Sequence, residues 1–237
     1  MKWGTKFGAA DVNRLFRMVR GHLDGDLRMV CFTDCSDGID AAVTCLPLPA
    51  VPVVGGRLDR GWRKLGLFGL ELAQAFDGDV LYLDLDIAIV QPLDPFFEVP
   101  GEFLIIKDFK PFRYRHRFCG NSSVVRFRAG AHAGLIVELV QRGEHIRKDF
   151  RDEQEFVSDF VRRQGLLNYW PPNWCASFKH DCVRPLPIGL WRPPLLPSGA
   201  KIVVFHGLPK PDDAVIGIGS KWYRPLRPAP WLQRYLE

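Results

Sequence analysis

The sequence predicts an α/β domain: a mostly parallel sheet with helices on both faces and an irregular C-terminal cover rich in proline and tryptophan. Three observations support this. Short apolar runs suited to strands alternate with stretches of helical periodicity. One such run leads directly into two aspartates, Asp84 and Asp86, as strands that deliver side chains to a sheet edge do. The last third changes composition: twelve of the nineteen prolines lie between Pro171 and Pro230, and five of the seven tryptophans lie from Trp170 onward.

In chain order, Val12, Leu15, Phe16 and Val19 share one helical face over residues 9–22, and Gly21 supplies a stop. Leu27 to Thr33 is a short apolar strand ending at Asp34, before a Ser36-Asp37-Gly38 turn. Leu65, Phe68, Leu72 and Phe76 give helical spacing over 62–76. Val80 to Leu83 is a buried strand, with further strands at Ile87–Val90, Phe103–Ile106 and Ser122–Phe127. Helices are expected over 131–142 and 152–164. Beyond residue 165 only Lys201–Phe205 reads as a clean strand, so that stretch is expected to wrap the same sheet and not to build its own core.

At 237 residues, 47% hydrophobic and 25% charged, the chain suits one folded domain spanning 1–237. Its net charge of +5 is too mild for dedicated nucleic-acid binding and fits phosphate-bearing ligands or an anionic membrane face. The six cysteines form no CxxC pair, which argues against zinc and for reduced, mostly buried thiols in a cytoplasmic setting. Met1–Lys6 has no apolar core of a secretory signal, and no apolar stretch approaches the ~20 residues of a membrane span. Peripheral contact at the inner membrane face stays open.

The chemistry is expected at Asp84-Leu85-Asp86. Strand alternation puts residues two apart on one side, so both carboxylates address one point at the carboxyl edge of the sheet. Hard oxygen ligands there suit Mg²⁺ or Mn²⁺ shared with a pyrophosphate. His206-Gly207 ends a second strand: a neutral imidazole is a metal ligand, and glycine lets backbone approach a phosphate. Lys210 lies within reach of the same diphosphate. Gly120-Asn121-Ser122-Ser123 offers compact polar groups for sugar hydroxyls, and Asp152-Glu153-Gln154 opens a helix. Trp62-Arg63-Lys64 brings a cation to a helix start. Arg113, Arg115 and Arg117 make a basic loop that would attract an anionic acceptor, although a solvated loop explains it as well.

In this order the pieces resemble the retaining glycosyltransferases of family 8, which include glycogenin and the bacterial lipopolysaccharide galactosyltransferases. The carrying residues are Leu81-Tyr82-Leu83-Asp84-Leu85-Asp86, Gly120-Asn121-Ser122-Ser123-Val124, Asp152-Glu153-Gln154 and His206-Gly207-Leu208-Pro209-Lys210-Pro211, with Lys64 as the basic residue on the preceding helix. The histidine adjoins its glycine instead of preceding it by three, Glu153 separates Asp152 from Gln154, and Asp213 or its neighbours stand in place of a tryptophan.

The resemblance implies a GT-A fold, with residues 1–110 as a nucleotide-binding half and 111–237 as the acceptor side and cover. It implies transfer of a hexose, with retention, from a nucleoside-diphosphate sugar (a UDP-sugar favoured) to a hydroxyl on a glycan or lipid-linked glycan. Asp84, Asp86 and His206 would hold Mn²⁺ or Mg²⁺. Thr5, Phe7, Asp34, Lys64, Gly207 and Lys210 would hold the donor, and Asn121, Asp152 and Gln154 would face the sugar. The stretch before Lys6 is short for a strand, so a stunted first strand or one continued upstream is expected. Rival readings are an inactive nucleotide- or sugar-binding module, a haloacid-dehalogenase-like phosphatase, in which Asp84 would be the nucleophile, and a nucleotidyltransferase, for which Gly4–Gly8 is a faint loop.

Overall fold

The computed structural model describes residues 1–51, 61–110, 118–219 and 225–237; the expected basic loop at Arg113, Arg115 and Arg117 lies outside them. Helix α1 (Ala9–Arg20) starts where the Asp11 carboxylate accepts from the Gly8 N–H at 2.8 Å, and it ends on Arg17 and Arg20, whose charge complements the helix C-terminus. Strands β1 (Met29–Thr33) and β2 (Val43–Pro47) follow, running parallel. A 3-10 run over Trp62–Phe68 then leads to α2 (Leu70–Ala75). The single helix expected over 62–76 is thus broken. Gly66 lies so close to Pro49 that a Cβ there would meet its ring at 2.7 Å, and Gly69 is extended between the two pieces.

Next come β3 (Asp79–Leu83), β4 (Ile87–Ile89), α3 (Pro95–Glu98), β5 (Phe103–Lys107) and β6 (Gly120–Arg128). Helices α4 (Gly134–Arg142), α5 (Ile146–Asp149) and α6 (Glu153–Arg163) precede β7 (Leu167–Tyr169), β8 (Cys175–Ser177), β9 (Ile202–Val204), α7 (Pro211–Ile216) and α8 (Gln233–Leu236). Among the described residues the C-terminal stretch therefore contributes three strands and two α-helices where one strand was expected. Three-residue strands such as Cys175–Ser177 are too short for periodicity to reveal.

The strands form the orders β1-β2, β3-β6-β5-β7 and β4-β9-β8. Parallel pairs (β1-β2, β5-β7, β8-β9) are matched by antiparallel ones (β3-β6, β5-β6, β4-β9), so the architecture is mixed where a mostly parallel sheet was expected. The long β6, paired antiparallel on both sides, makes the difference, and apolar patterning carries no information about strand direction. Helices do cover both faces. Along β5, Phe103 and Ile105 join one core with Phe68, Leu135, Phe156 and Phe160, whereas Leu104 and Ile106 join another with Val12, Leu15 and Phe205. That is the two-residue period of a strand buried on both sides.

Two features position the site. The segment Asp84–Asp86 carries the chain from one sheet to the next: Asp84 N–H donates to Ser123 C=O (2.9 Å), extending the β3-β6 ladder, and Phe205 N–H donates to Asp86 C=O (3.0 Å), extending β4-β9. In β6 the register with β5 jumps from Val125 to Asn121, so Ser122 and Ser123 bulge toward that segment. All six cysteines are unpaired, four of them buried. No helix among the described residues is long and apolar enough to cross a membrane.

Candidate functional site

Asp84 and Asp86 behave differently despite their spacing. The Asp84 carboxylate accepts from Lys64 Nζ, with nearest approach 2.7 Å, and from Tyr82 Oη at 2.7 Å. Burial pushes its pKa upward, but Lys64, the Tyr82 hydroxyl and Ser123 outweigh that, and the net direction is down. Asp86 is 8% exposed and forms a 3.6 Å ion pair with the exposed Lys6. Burial and the neighbouring Asp84 raise it to about 6. Two carboxylates that polarise each other this way form a centre for positive charge.

Lys64 sits between acids. Burial lowers its pKa, but Asp84 and then Glu153 more than compensate, so it stays an ammonium. Glu153 is buried, accepts from Ser122 Oγ at 3.0 Å, and is raised by burial to about 7. Gly61 makes room for it: a Cβ there would stand 2.6 Å from the carboxylate, and its φ of 108° suits only glycine. Of the triplet at the start of α6, Asp152 caps the helix by accepting from Glu155 N–H at 3.2 Å, and Gln154 Oε1 accepts from Ser122 N–H at 3.3 Å. Asn121 is buried, with Oδ1 accepting from Ser123 N–H.

His206 lies one residue beyond Phe205, which is bonded to Asp86. Its ring packs on Phe109 at 4.9 Å, and its buried Nε2 has no hydrogen-bond partner among the described residues. Burial, helped by Lys179, His180 and Lys110, depresses its pKa to about 4, so the imidazole is neutral near pH 7. Gly207 is exposed and adopts φ 73°, a left-handed turn that a side chain would strain. Lys210 caps α7, and its Nζ reaches Lys6 C=O at 3.2 Å and stands 5.2 Å from the Phe7 ring. Lys6 Nζ lies 4.5 Å from the same ring. Phe7 thus sits among cations beside Asp86. Thr5 is exposed.

Asp34 lies on the same edge but already has partners: Gly4 N–H (2.7 Å) and Lys2 Nζ (3.4 Å), which hold its pKa down, the Gly4 bond foremost. Among the described residues no three His, Cys, Asp or Glu side chains converge on one point. The expected triad Asp84, Asp86 and His206 is therefore not a closed ligand cage. The Asp84 carboxylate is turned toward Lys64 and Tyr82.

Sequence reasoning named Ser122 within the Gly120–Ser123 motif but missed Glu153, Lys6 and Tyr82 as members of this cluster. Glu153 and Tyr82 lie inside motifs the sequence shows, but the local pattern could not show that the acid between Asp152 and Gln154 is the one that turns inward.

The sequence matches no protein-family model and no curated protein. The fold is that of GT-A glycosyltransferases. The structure is similar to galactosyltransferase LgtC in complex with donor and acceptor sugar analogues, with TM-score 0.56 and 14% identity over 86% of this chain and 85% of that one. It is also similar to the glycosyltransferase GlyE of Streptococcus pneumoniae (TM-score 0.55, 12% identity, 88% of this chain and 55% of that one). Mouse xyloside xylosyltransferase 1 gives TM-score 0.51 at 13% identity, with 85% and 91% covered.

Proposed function

We propose that this chain transfers a sugar from a nucleoside-diphosphate donor to a hydroxyl acceptor. The observation that carries the reading is the placement of Asp84 and Asp86, one salt-bridged and one raised to about 6, where β3 passes into β4 beside Lys6, Lys64 and Lys210. The finer reading keeps the family-8 likeness: a hexose, favoured as a UDP-sugar, transferred with retention.

A divalent cation would draw on groups with spare capacity here, although Asp84, Asp86 and His206 do not converge on one point as they stand. Asp86 has a 3.6 Å ion pair with the exposed Lys6, and the neutral His206 carries a buried nitrogen with no partner among the described residues. Asp86, Asp84 and His206 would hold Mn²⁺ or Mg²⁺, which neutralises charge on a leaving diphosphate. Lys6 and Lys210 add positive charge on the same edge, and Phe7 offers a half-buried ring for the base. Asn121 and Gln154 flank the Ser122 bulge, and Asp152 holds the start of α6 that presents Glu153. Asp34 organises Lys2 and Gly4 on the nucleotide side, and Thr5 and Gly207 leave room for the donor.

The acceptor reading is a glycan or lipid-linked glycan at the inner membrane face. Leu186, Ile188, Trp191 and Leu195 are all exposed on one loop, with Arg184 and Arg192 beside them. That loop is held in shape by bonds from Arg227 to Leu190 C=O and from Trp231 to Pro194 C=O. Ordered apolar side chains among arginines suit peripheral contact with an anionic bilayer.

The competing reading is a binding module, favoured by one observation: the Lys64 ammonium itself neutralises Asp84. Thermal shifts with UDP, GDP, CDP and ADP, each with and without Mn²⁺, followed by turnover of the stabilising base's sugar conjugate, separate the two. Metal-dependent stabilisation with sugar release supports transfer. Stabilisation without any turnover supports the module.

A further inference from the structure

The carboxyl ends of β5, β8 and β9 converge beside His206, where open α/β folds take their ligands. β8 and β9 run parallel with Ser177 opposite Val204, and the residues beyond them stay in step. Phe178 stacks on Phe205 at 4.7 Å, and Lys179 Nζ donates to His206 C=O. From the end of β5, Phe109 packs its ring on His206 at 4.9 Å, and Lys110 follows it. His180 lies in the turn Phe178–Cys182, which is tied down on both sides. Ser177 Oγ accepts from His180 N–H, and Val183 N–H closes on Phe178 C=O at 3.0 Å. Two ammonium groups and an imidazole are thereby brought to one place by hydrogen-bonded backbone.

These groups repel one another. The pKa of Lys179 is lowered by burial and then by Lys110; that of His180 is lowered by burial and then by Lys110, against the pull of Asp181. The acids nearby are engaged by backbone: Asp181 accepts from Ser177 N–H at 2.7 Å, and Asp108 from Lys110 N–H at 2.6 Å. An anion lodged among the three side chains would relieve the repulsion.

The cluster stands apart from the cations assigned to the diphosphate. Lys6 and Lys210 gather at the Phe7 ring, at 4.5 and 5.2 Å, whereas Lys110, Lys179 and His180 gather at His206 and Phe109. It also adjoins the strand read as facing the sugar. Asp108 N–H donates to Cys119 C=O at 3.2 Å, so the chain leading to Phe109 is bonded to the entry of β6, just ahead of Asn121 and Ser122.

We propose that Lys110, Lys179 and His180 form an acceptor subsite for a phosphate group, so that the sugar that receives the transfer carries a phosphate. Lysine ammoniums bind phosphate as point charges, and the imidazole adds a directional N–H. The acceptor's identity as such rests on the transfer reading of Asp84 and Asp86, whereas binding of a phosphate group here does not.

The test titrates methyl phosphate into the isotope-labelled full chain at pH 7 in EDTA and follows backbone amide shifts. Saturable shifts are expected at Phe109, Lys110, Lys179, His180 and His206. The double variant Lys110→Gln, His180→Gln, in which both side chains replaced are exposed, should bind ~10-fold or more weakly. Shifts confined to Lys6 and Lys210, or native affinity in the double variant, overturn the proposal. The titration is then repeated on the native chain saturated with the stabilising nucleoside diphosphate and Mg²⁺. Methyl phosphate that still binds occupies a subsite of its own, as proposed; methyl phosphate that is displaced marks the cluster as part of the donor's diphosphate site and overturns the proposal. A chain that binds methyl phosphate at these residues but no nucleotide supports the anion subsite and fails the transfer reading alone. Among methyl glycosides with and without a 6-phosphate, the phosphorylated member of a pair that is turned over should be favoured by ~10-fold or more in kcat/KM, and preference for the neutral member overturns the proposal.

Discussion

Replacing Lys64 by methionine isolates the electrostatics of the site. The substitution keeps the unbranched stem, one atom shorter, and removes the ammonium that lies 2.7 Å from Asp84. Both partners are largely buried, at 15% and 16% side-chain exposure, so the attraction is not screened as a surface pair would be. Removing one member of a buried pair leaves the other charged and uncompensated, at a cost of about 3–5 kcal/mol. For a chain of this size that lowers Tm by roughly 10 °C.

The pH dependence has a definite sign. In the native protein Asp84 is held below its ordinary value, so it contributes stability above the usual carboxylate range and loses it only as pH falls through that depressed pKa. In Lys64→Met the same carboxyl keeps its burial and loses its cation, so its pKa rises and the variant recovers stability as pH falls. Glu153, already near 7, moves the same way. Urea unfolding in EDTA is expected to show the largest deficit at pH 7.5 and a clearly smaller one at pH 5.5. A deficit under ~1 kcal/mol at pH 7.5, or one constant across that window, would refute the reasoning.

Three further outcomes follow from neighbouring groups. Glu153→Gln keeps a partner for Ser122 and removes a carboxyl raised to about 7 by burial; a raised carboxyl loses stability progressively as pH climbs from its ordinary 4.5 to about 7, so the variant's gain over the native protein should be larger at pH 8.5 than at pH 5.5, by on the order of 1 kcal/mol or more in urea unfolding. His132 is buried among Phe68, Phe103 and Phe127, with neither ring nitrogen hydrogen-bonded among the described residues and its pKa depressed by burial. His132→Leu should match or exceed native stability by about 1–2 kcal/mol at pH 7.5 and remove the native loss of stability as pH falls below about 6.5. Replacing Ile188 and Trp191 by serine should weaken sedimentation with phosphatidylglycerol vesicles by ~10-fold without changing Tm, and unchanged binding would remove the membrane reading.

The sequence showed best what depends on local pattern. The face of α1, the cores of β3, β5 and β6, and the carboxylates after Leu83 all follow from periodicity and from where an apolar run stops. Strand direction was not legible, because β6, buried along nearly its whole length, reads the same whether its neighbours run with it or against it. The break at Gly69 was hidden by Leu65, Phe68 and Leu72, whose spacing continues across it. Within the site, spacing put Asp84 and Asp86 together but could not show that Lys64, twenty residues earlier, would claim one of them. The inward turn of Glu153 depends on Gly61 and Ser122, both remote in sequence, so tertiary packing selected it from a triplet of polar residues.

The central claim, that Asp84 and Asp86 hold a cation for a nucleotide diphosphate, is tested most directly by Asp86→Asn. The change removes one charge with almost no change in volume, from a residue whose pKa is raised to about 6 by burial and by Asp84. Calorimetric titration of the stabilising nucleoside diphosphate, with Mn²⁺ and with EDTA, is run on the native protein and the variant, beside urea unfolding of each without ligand. Affinity of the native protein should rise by ~10-fold or more with Mn²⁺, and that gain should vanish in the variant. Stability without ligand should hold or rise by about 1 kcal/mol, because one of two repelling carboxylates is gone. A variant that keeps the Mn²⁺ gain, or a native protein that shows none, contradicts the account.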